Sequence, residues 1–171
     1  MLELKQLTDK TLEIFNCQRV DDLGDALMAH MEDECAMQAF SDLVGGDLSK
    51  DWMQMIFQYY KADRKEKKQD YTPACIGKFM SKLIGESSET YDMCAGSGSL
   101  TIQRLNDNPD GKIICYEIDK NVIPFLLFNL AIRNKTAEVH RADVLQDEVY
   151  ESWQIKKGEQ YGKVSCIKPA L

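Results

Sequence analysis

The ten residues from Tyr91 to Leu100, YDMCAGSGSL, constrain the fold more than any other stretch of the chain. A short apolar run breaks into Ala95-Gly96-Ser97-Gly98 and then resumes as SLTIQRLNDN, which reads as a helix. A strand that ends in small residues and feeds a helix presents free backbone N–H groups at the positive end of the helix dipole. That geometry suits an anion or a nucleoside lying across the turn. Gly96 and Gly98 permit positive φ and a close backbone approach that side chains would obstruct.

The surroundings of this turn predict its sheet. TYDMCA reads as a first strand, GKIICYEID as a second, NVIPFLLFNLAIRN as a second helix, and AEVHRADVL as a third strand. Strand, helix, strand, helix, strand at these spacings is a parallel α/β unit with right-handed connections. Before it, TLEIFNC, VDDLGDALMAHM, DECAMQAFSDLV and SKDWMQMIFQYYKADRKEK carry apolar residues three or four apart, and Gly45-Gly46 punctuates them. They predict a helical N-terminal unit over residues 1–68, followed by an α/β domain over residues 69–171. Thr72 as N-cap and Pro73 at the first position predict a helix to about Leu83.

Composition removes several classes. No apolar run approaches the roughly 18 residues needed to span a bilayer, and MLELKQLTDK lacks a signal-peptide profile, so a cytoplasmic location is expected. The six cysteines contain no CxxC pair and read as reduced, mostly buried small side chains; no metal site is assigned. A net charge of −7 opposes non-specific attraction to nucleic acid. The one strongly basic run, Lys61 to Lys68, holds five basic and two acidic residues and fits a solvated helix end as well as a nucleic-acid contact.

Three ligands compete for the turn. ATP calls for GxxxxGK[ST], and no lysine follows these glycines. A dinucleotide favours GxGxxG, whereas Gly98 is followed by Ser99, Leu100 and Thr101. S-adenosylmethionine, a nucleoside with a charged amino-acid tail, remains. Asp92 can pair with its ammonium group, and Glu117, at the end of the second strand, can accept from both ribose hydroxyls.

From KKQDYTPACIGKFM through YDMCAGSGSLTIQ, CYEID and RADVL, the chain resembles the adenine-N6 DNA methyltransferases, particularly the modification subunits of type I restriction systems and related phage enzymes. The resemblance covers about Lys67 to Leu145, and the triplet Tyr71-Thr72-Pro73 ahead of a D-x-C-A-G-S-G turn is its most specific part. It implies that Tyr71 and Thr72 close over the methionine end of the cofactor. Asp92 and the backbone at Ala95, Gly96 and Gly98 would hold the amino-acid portion, and Glu117 the ribose. Ile118 would pack on the adenine ring, and Asp143, with Val144 beside it, would accept from the exocyclic amine. Cys94, although beside a helix N-terminus, is expected to pack rather than react, and no catalytic residue is assigned.

The match stops at the acceptor side. In this family a flipped adenine is held by an Asn/Asp/Ser-Pro-Pro-aromatic segment after the fourth strand. This sequence has no Pro-Pro pair, and KPAL at Lys168 to Leu171 supplies neither an acceptor nor a ring. The expected architecture is therefore a partial Rossmann-like sheet of three parallel strands, or four if Val164 to Ile167 pairs beside the first. An exposed edge would favour self-association or a protein partner, with DNA met only as part of a larger assembly. The resemblance implies a truncated, cofactor-binding portion of a methyltransferase that is inactive alone; a non-enzymatic interaction module derived from one is the alternative.

Overall fold

The computed structural model describes residues 3–61 and 72–168; most of the basic run, and Tyr71, lie outside them. Four helices come first: α1 (Leu4–Ile14), α2 (Leu23–Ala29), entered through a single 3-10 turn, α3 (Glu34–Leu43) and α4 (Trp52–Lys61). Then follow α5 (Ala74–Ile84), β1 (Glu89–Asp92), α6 (Ser99–Asp107), β2 (Lys112–Glu117), α7 (Ile123–Ile132), β3 (Ala137–Asp143), β4 (Glu148–Lys156) and β5 (Lys163–Ile167). Two of the helices, α3 and α4, start where a side chain satisfies one of their first N–H groups. The Asp33 carboxylate accepts from the Ala36 amide at 3.0 Å, and the Asp51 carboxylate from the Gln54 amide at 2.8 Å. Pro73, rather than Thr72, is the N-cap of α5, and no side chain caps it.

α7 organises the interior. All ten of its residues are buried, and they are apolar on every side apart from Asn129. A helix of that kind needs cover all round. The sheet supplies one side, through β3, β4 and β5. The N-terminal helices supply the other: the Phe128 ring meets Phe15 and Phe40 edge-on at 5.3 and 5.4 Å, and Phe125 lies 5.2 Å from Phe57. Leu23, Leu27, Met37, Phe40, Met53 and Ile56 therefore share one apolar cluster with Ile113, Cys115, Val139 and Ile155 of the sheet. The boundary expected at residue 68 falls outside the described residues, and the elements on either side of it share a core.

The sheet runs β1-β2-β3-β4-β5. The first two pairings are parallel, as expected, and are connected through α6 and α7; right-handed connections of this kind put both helices on one face. The last two pairings are antiparallel, so the sheet has five strands rather than three or four. Val164 to Ile167 does not lie beside β1; it pairs with β4 at the far edge. The difference arises because Glu148–Lys156 forms an unanticipated strand that turns back on β3 across a bulge at Arg141 and Ala142. Gly162 anchors the hairpin to α7. Its amide donates to the Ala131 carbonyl at 2.8 Å, and a Cβ there would sit 2.9 Å from Ile155 Cγ2. The other face of the sheet is polar and aromatic, with Tyr116 stacked on His140 at 4.9 Å and Lys112 bridging to Glu138 at 2.8 Å.

The cysteines depart from expectation. Cys115 alone is buried and Cys17 is partly so; Cys35, Cys75, Cys94 and Cys166 are exposed. Periodicity places a cysteine on an element but does not say whether another layer covers that position.

Because the helical and sheet layers share α7, Phe128→Ala should cost about 3–5 kcal/mol and keep unfolding a single transition. Urea unfolding followed by both far- and near-ultraviolet circular dichroism checks this. Two separated transitions would mean that the layers are independent.

Candidate nucleoside site

The parallel register brings three carboxylates to one edge. Asp92 ends β1, Glu117 ends β2 and Asp143 ends β3, all at the carboxyl end of the sheet, where ligands of open α/β folds bind. Between the first two lies the Gly-rich turn. The Ala95 amide donates to the Tyr116 carbonyl at 2.9 Å, which pins the turn to β2. Gly96 and Gly98 have φ of +56° and +96°, and Gly98 leads directly into α6. A Cβ on Gly98 would lie 2.9 Å from Leu126 Cδ1, whereas one on Gly96 would meet open space. Gly98 is thus tight against α7, and Gly96 faces open space.

Each carboxylate has a local partner. Glu117 accepts from the Gly96 amide through Oε2 and from the Asp119 amide through Oε1, both at 2.8 Å, which holds it at the mouth of the turn. Asp92 accepts from the Thr101 hydroxyl at 2.7 Å. Oδ1 of Asp143 accepts from the amides of Leu145 and Gln146 at 3.0 and 3.1 Å, closing the bend after β3. Ile118, which follows Glu117, is 54% exposed, so it is an apolar surface at the strand tips rather than core. Val144 and Thr72 are partly buried, and Ala95 is buried under the turn. The start of α5 reaches the same region, since Gly77 sits against Leu100 and Gln103 of α6.

Of the residues singled out in the sequence, Asp92, Ala95, Gly96, Gly98, Glu117, Ile118, Asp143 and Val144 come together along this edge. Thr72 stands at the foot of α5, and Tyr71 lies outside the described residues. Cys94 is exposed and does not pack as expected. Cys115, beneath Asp92, is inert: burial and the neighbouring Asp92 charge push its thiol well above the ordinary range. Among the described residues, no group of three or more His, Cys, Asp or Glu side chains is arranged to hold a metal ion.

Sequence reasoning missed the groups behind the turn. Ser97 Oγ donates to Asp51 Oδ2 at 2.6 Å, and Asn129 Nδ2 donates to both Asp51 Oδ1 and the Ser97 carbonyl, at 2.8 and 2.9 Å. Two signals were present. Asp51 with Gln54 three residues on is a capping pattern, and Asn129 interrupts an otherwise apolar helix. Neither indicates that the two side chains meet.

A parallel arrangement of β1 to β3 with a Gly-rich turn after the first strand and acids on three successive strand tips is the Rossmann-like arrangement of an α/β fold, with the turn at the end of the strands where such folds carry their ligand sites. The family model for N-6 DNA methylase matches residues 45–165, and the chain belongs to that family. Comparison with curated proteins and with solved structures gives no match.

Gly98→Ala forces a side chain into both a left-handed backbone and Leu126. It should lower stability by about 1–3 kcal/mol, measured as a drop in the urea midpoint.

Proposed function

We propose that this chain is the S-adenosylmethionine-binding part of a DNA adenine-N6 methyltransferase of the restriction–modification type, acting in the cytoplasm. The observation that carries the reading is the acidic edge formed by Asp92, Glu117 and Asp143 around a turn of small residues. Three carboxylates repel a nucleotide's phosphates and attract a ligand bearing an ammonium and a sulfonium. The N-terminus of α6, which no side chain caps, suits that ligand's carboxylate, and Ile118 offers an apolar surface for its base. When bound, the cofactor supplies an electrophilic methyl group.

The chain's own residues bind and orient the donor; the acceptor side is not among them. The sequence carries no Asn/Asp/Ser-Pro-Pro-aromatic segment to direct the lone pair of an adenine amine, so we propose that the chain does not methylate DNA alone. A second reading, a non-enzymatic interaction module, draws on one further observation. Phe79, Leu83, Ile84 and Ile76 on α5 and Tyr91 on the open edge of β1 are all strongly exposed. Both readings place another polypeptide on this face. Antiparallel pairing with a second copy would set Glu89 opposite Asp92, which favours a different chain with an apolar or basic strand over self-association.

Calorimetric titration should show S-adenosylmethionine binding, weakened roughly tenfold or more by Glu117→Ala; no heat and no thermal shift at millimolar ligand would overturn the proposal. Tritium transfer to adenine-containing DNA should be absent with the pure chain. For the α5 face, Phe79→Glu combined with Leu83→Glu should reduce hydrophobic-dye binding without lowering the melting temperature. A fall of more than about 2–4 °C, the shift expected for ~1 kcal/mol in a chain of this size, would show that the face is covered within the chain.

A further inference from the structure

We infer that Asp51 is a positioning residue for the Gly-rich turn, so that the helical N-terminal layer, and not the sheet alone, sets the shape of the nucleoside site. The inference rests on the reading above only for the identity of the ligand. Asp51 is buried, stands 46 residues before Ser97 in the chain, and belongs to a different layer. Its two oxygens are divided between duties. Oδ1 accepts from the Gln54 amide, which starts α4, and from Asn129 of α7; Oδ2 accepts from the Ser97 hydroxyl inside the turn. Asn129 completes the clamp by donating to the Ser97 carbonyl. Ser97 is thus held through side chain and backbone from behind, while Gly96 and Gly98 on either side of it bear the positive φ angles.

The carboxylate is itself fixed. The Arg133 guanidinium, on the turn after α7, donates to the carbonyls of Leu48 and Lys50 at 2.9 and 2.7 Å, and to the Asn129 carbonyl and side-chain oxygen at 2.6 and 3.1 Å. The segment that carries Asp51 is therefore tied to the same helix that carries its partner. Burial holds the Asp51 carboxyl above the usual range and lowers the Arg133 guanidinium to about 10, while their opposite charges offset part of both costs. A cap for α4 needs only one acceptor oxygen on a surface Ser, Asp or Asn. A buried carboxylate whose second oxygen reaches the ligand turn does more than start a helix.

The test compares wild-type protein with Asp51→Asn, Asp51→Ala and Ser97→Ala. Three quantities are read: hydrogen exchange of the Gly96, Ser97 and Gly98 amides, exchange of core amides such as Leu127, and calorimetric affinity for S-adenosylmethionine. Asp51→Ala and Ser97→Ala should speed exchange at the turn by about tenfold relative to the core and weaken binding by a similar factor. Asp51→Asn keeps an acceptor for Gln54 and Asn129 and offers an N–H to the Ser97 hydroxyl, so both quantities should return to within about threefold of wild type. If Asp51→Ala does not fold, Ser97→Ala, which leaves the α4 cap intact, decides. Exchange that rises equally in turn and core, or unchanged affinity with an unchanged turn, overturns the inference. If wild-type protein binds no S-adenosylmethionine, the functional proposal fails, and the exchange ratio alone decides the role of Asp51.

Discussion

The burial of α7 on every side is the constraint from which the rest of the structure follows. Ten consecutive buried residues cannot be covered by a sheet alone, so the N-terminal helices are drawn across the other side. Its one polar side chain, Asn129, then has to be satisfied in a place without water. It is satisfied by Asp51 from the helical layer and by the Ser97 carbonyl from the Gly-rich turn. A packing requirement and a site requirement meet at a single residue, which couples the two layers chemically as well as through apolar contact.

The electrostatics of the opposite end follow from parallel pairing. Because β1, β2 and β3 run in the same direction, acids that close separate strands in the sequence end up side by side in space. Three backbone donors of the turn between them are already paired: the Ala95 amide with the Tyr116 carbonyl, the Gly96 amide with Glu117, and the Gly98 amide with the Ala95 carbonyl. The result is an edge of mixed character: anionic where a cationic donor would lie, bordered by the uncapped α6 N-terminus where a carboxylate would lie, and apolar at Ile118. On the proposed reading, that combination suits an amino-acid nucleoside better than a phosphate-bearing one. It also explains why membership of the N-6 DNA methylase family agrees with the local chemistry of the turn.

Among the described residues no strand pairs with the outer side of β1, and one face of α5 is apolar and exposed. Parallel sheets are stable when covered on both faces and continued at their edges. Here the sheet grows in one direction only, from β1 towards the antiparallel hairpin, and the hairpin closes over α7 at Gly162 rather than over β1.

Much of the fold was legible in the chain itself. Four amphipathic N-terminal segments, the Pro73-led helix, the three parallel strands and the Gly-rich turn are written in local periodicity and in residues such as Gly98, whose backbone few side chains could adopt. The acids Asp92, Glu117 and Asp143 were legible too, because strand ends can be read from the same pattern. Tertiary structure decided what depends on distant neighbours. Glu148–Lys156 became a strand through pairing with β3, Val164 to Ile167 went to the far edge through pairing with β4, and the exposure of Cys94 depended on which layer covered it. The clamp of Asp51, Ser97 and Asn129 is the clearest case: residues 32 to 78 positions apart meet only after α7 is buried, and no periodicity encodes a contact that packing creates.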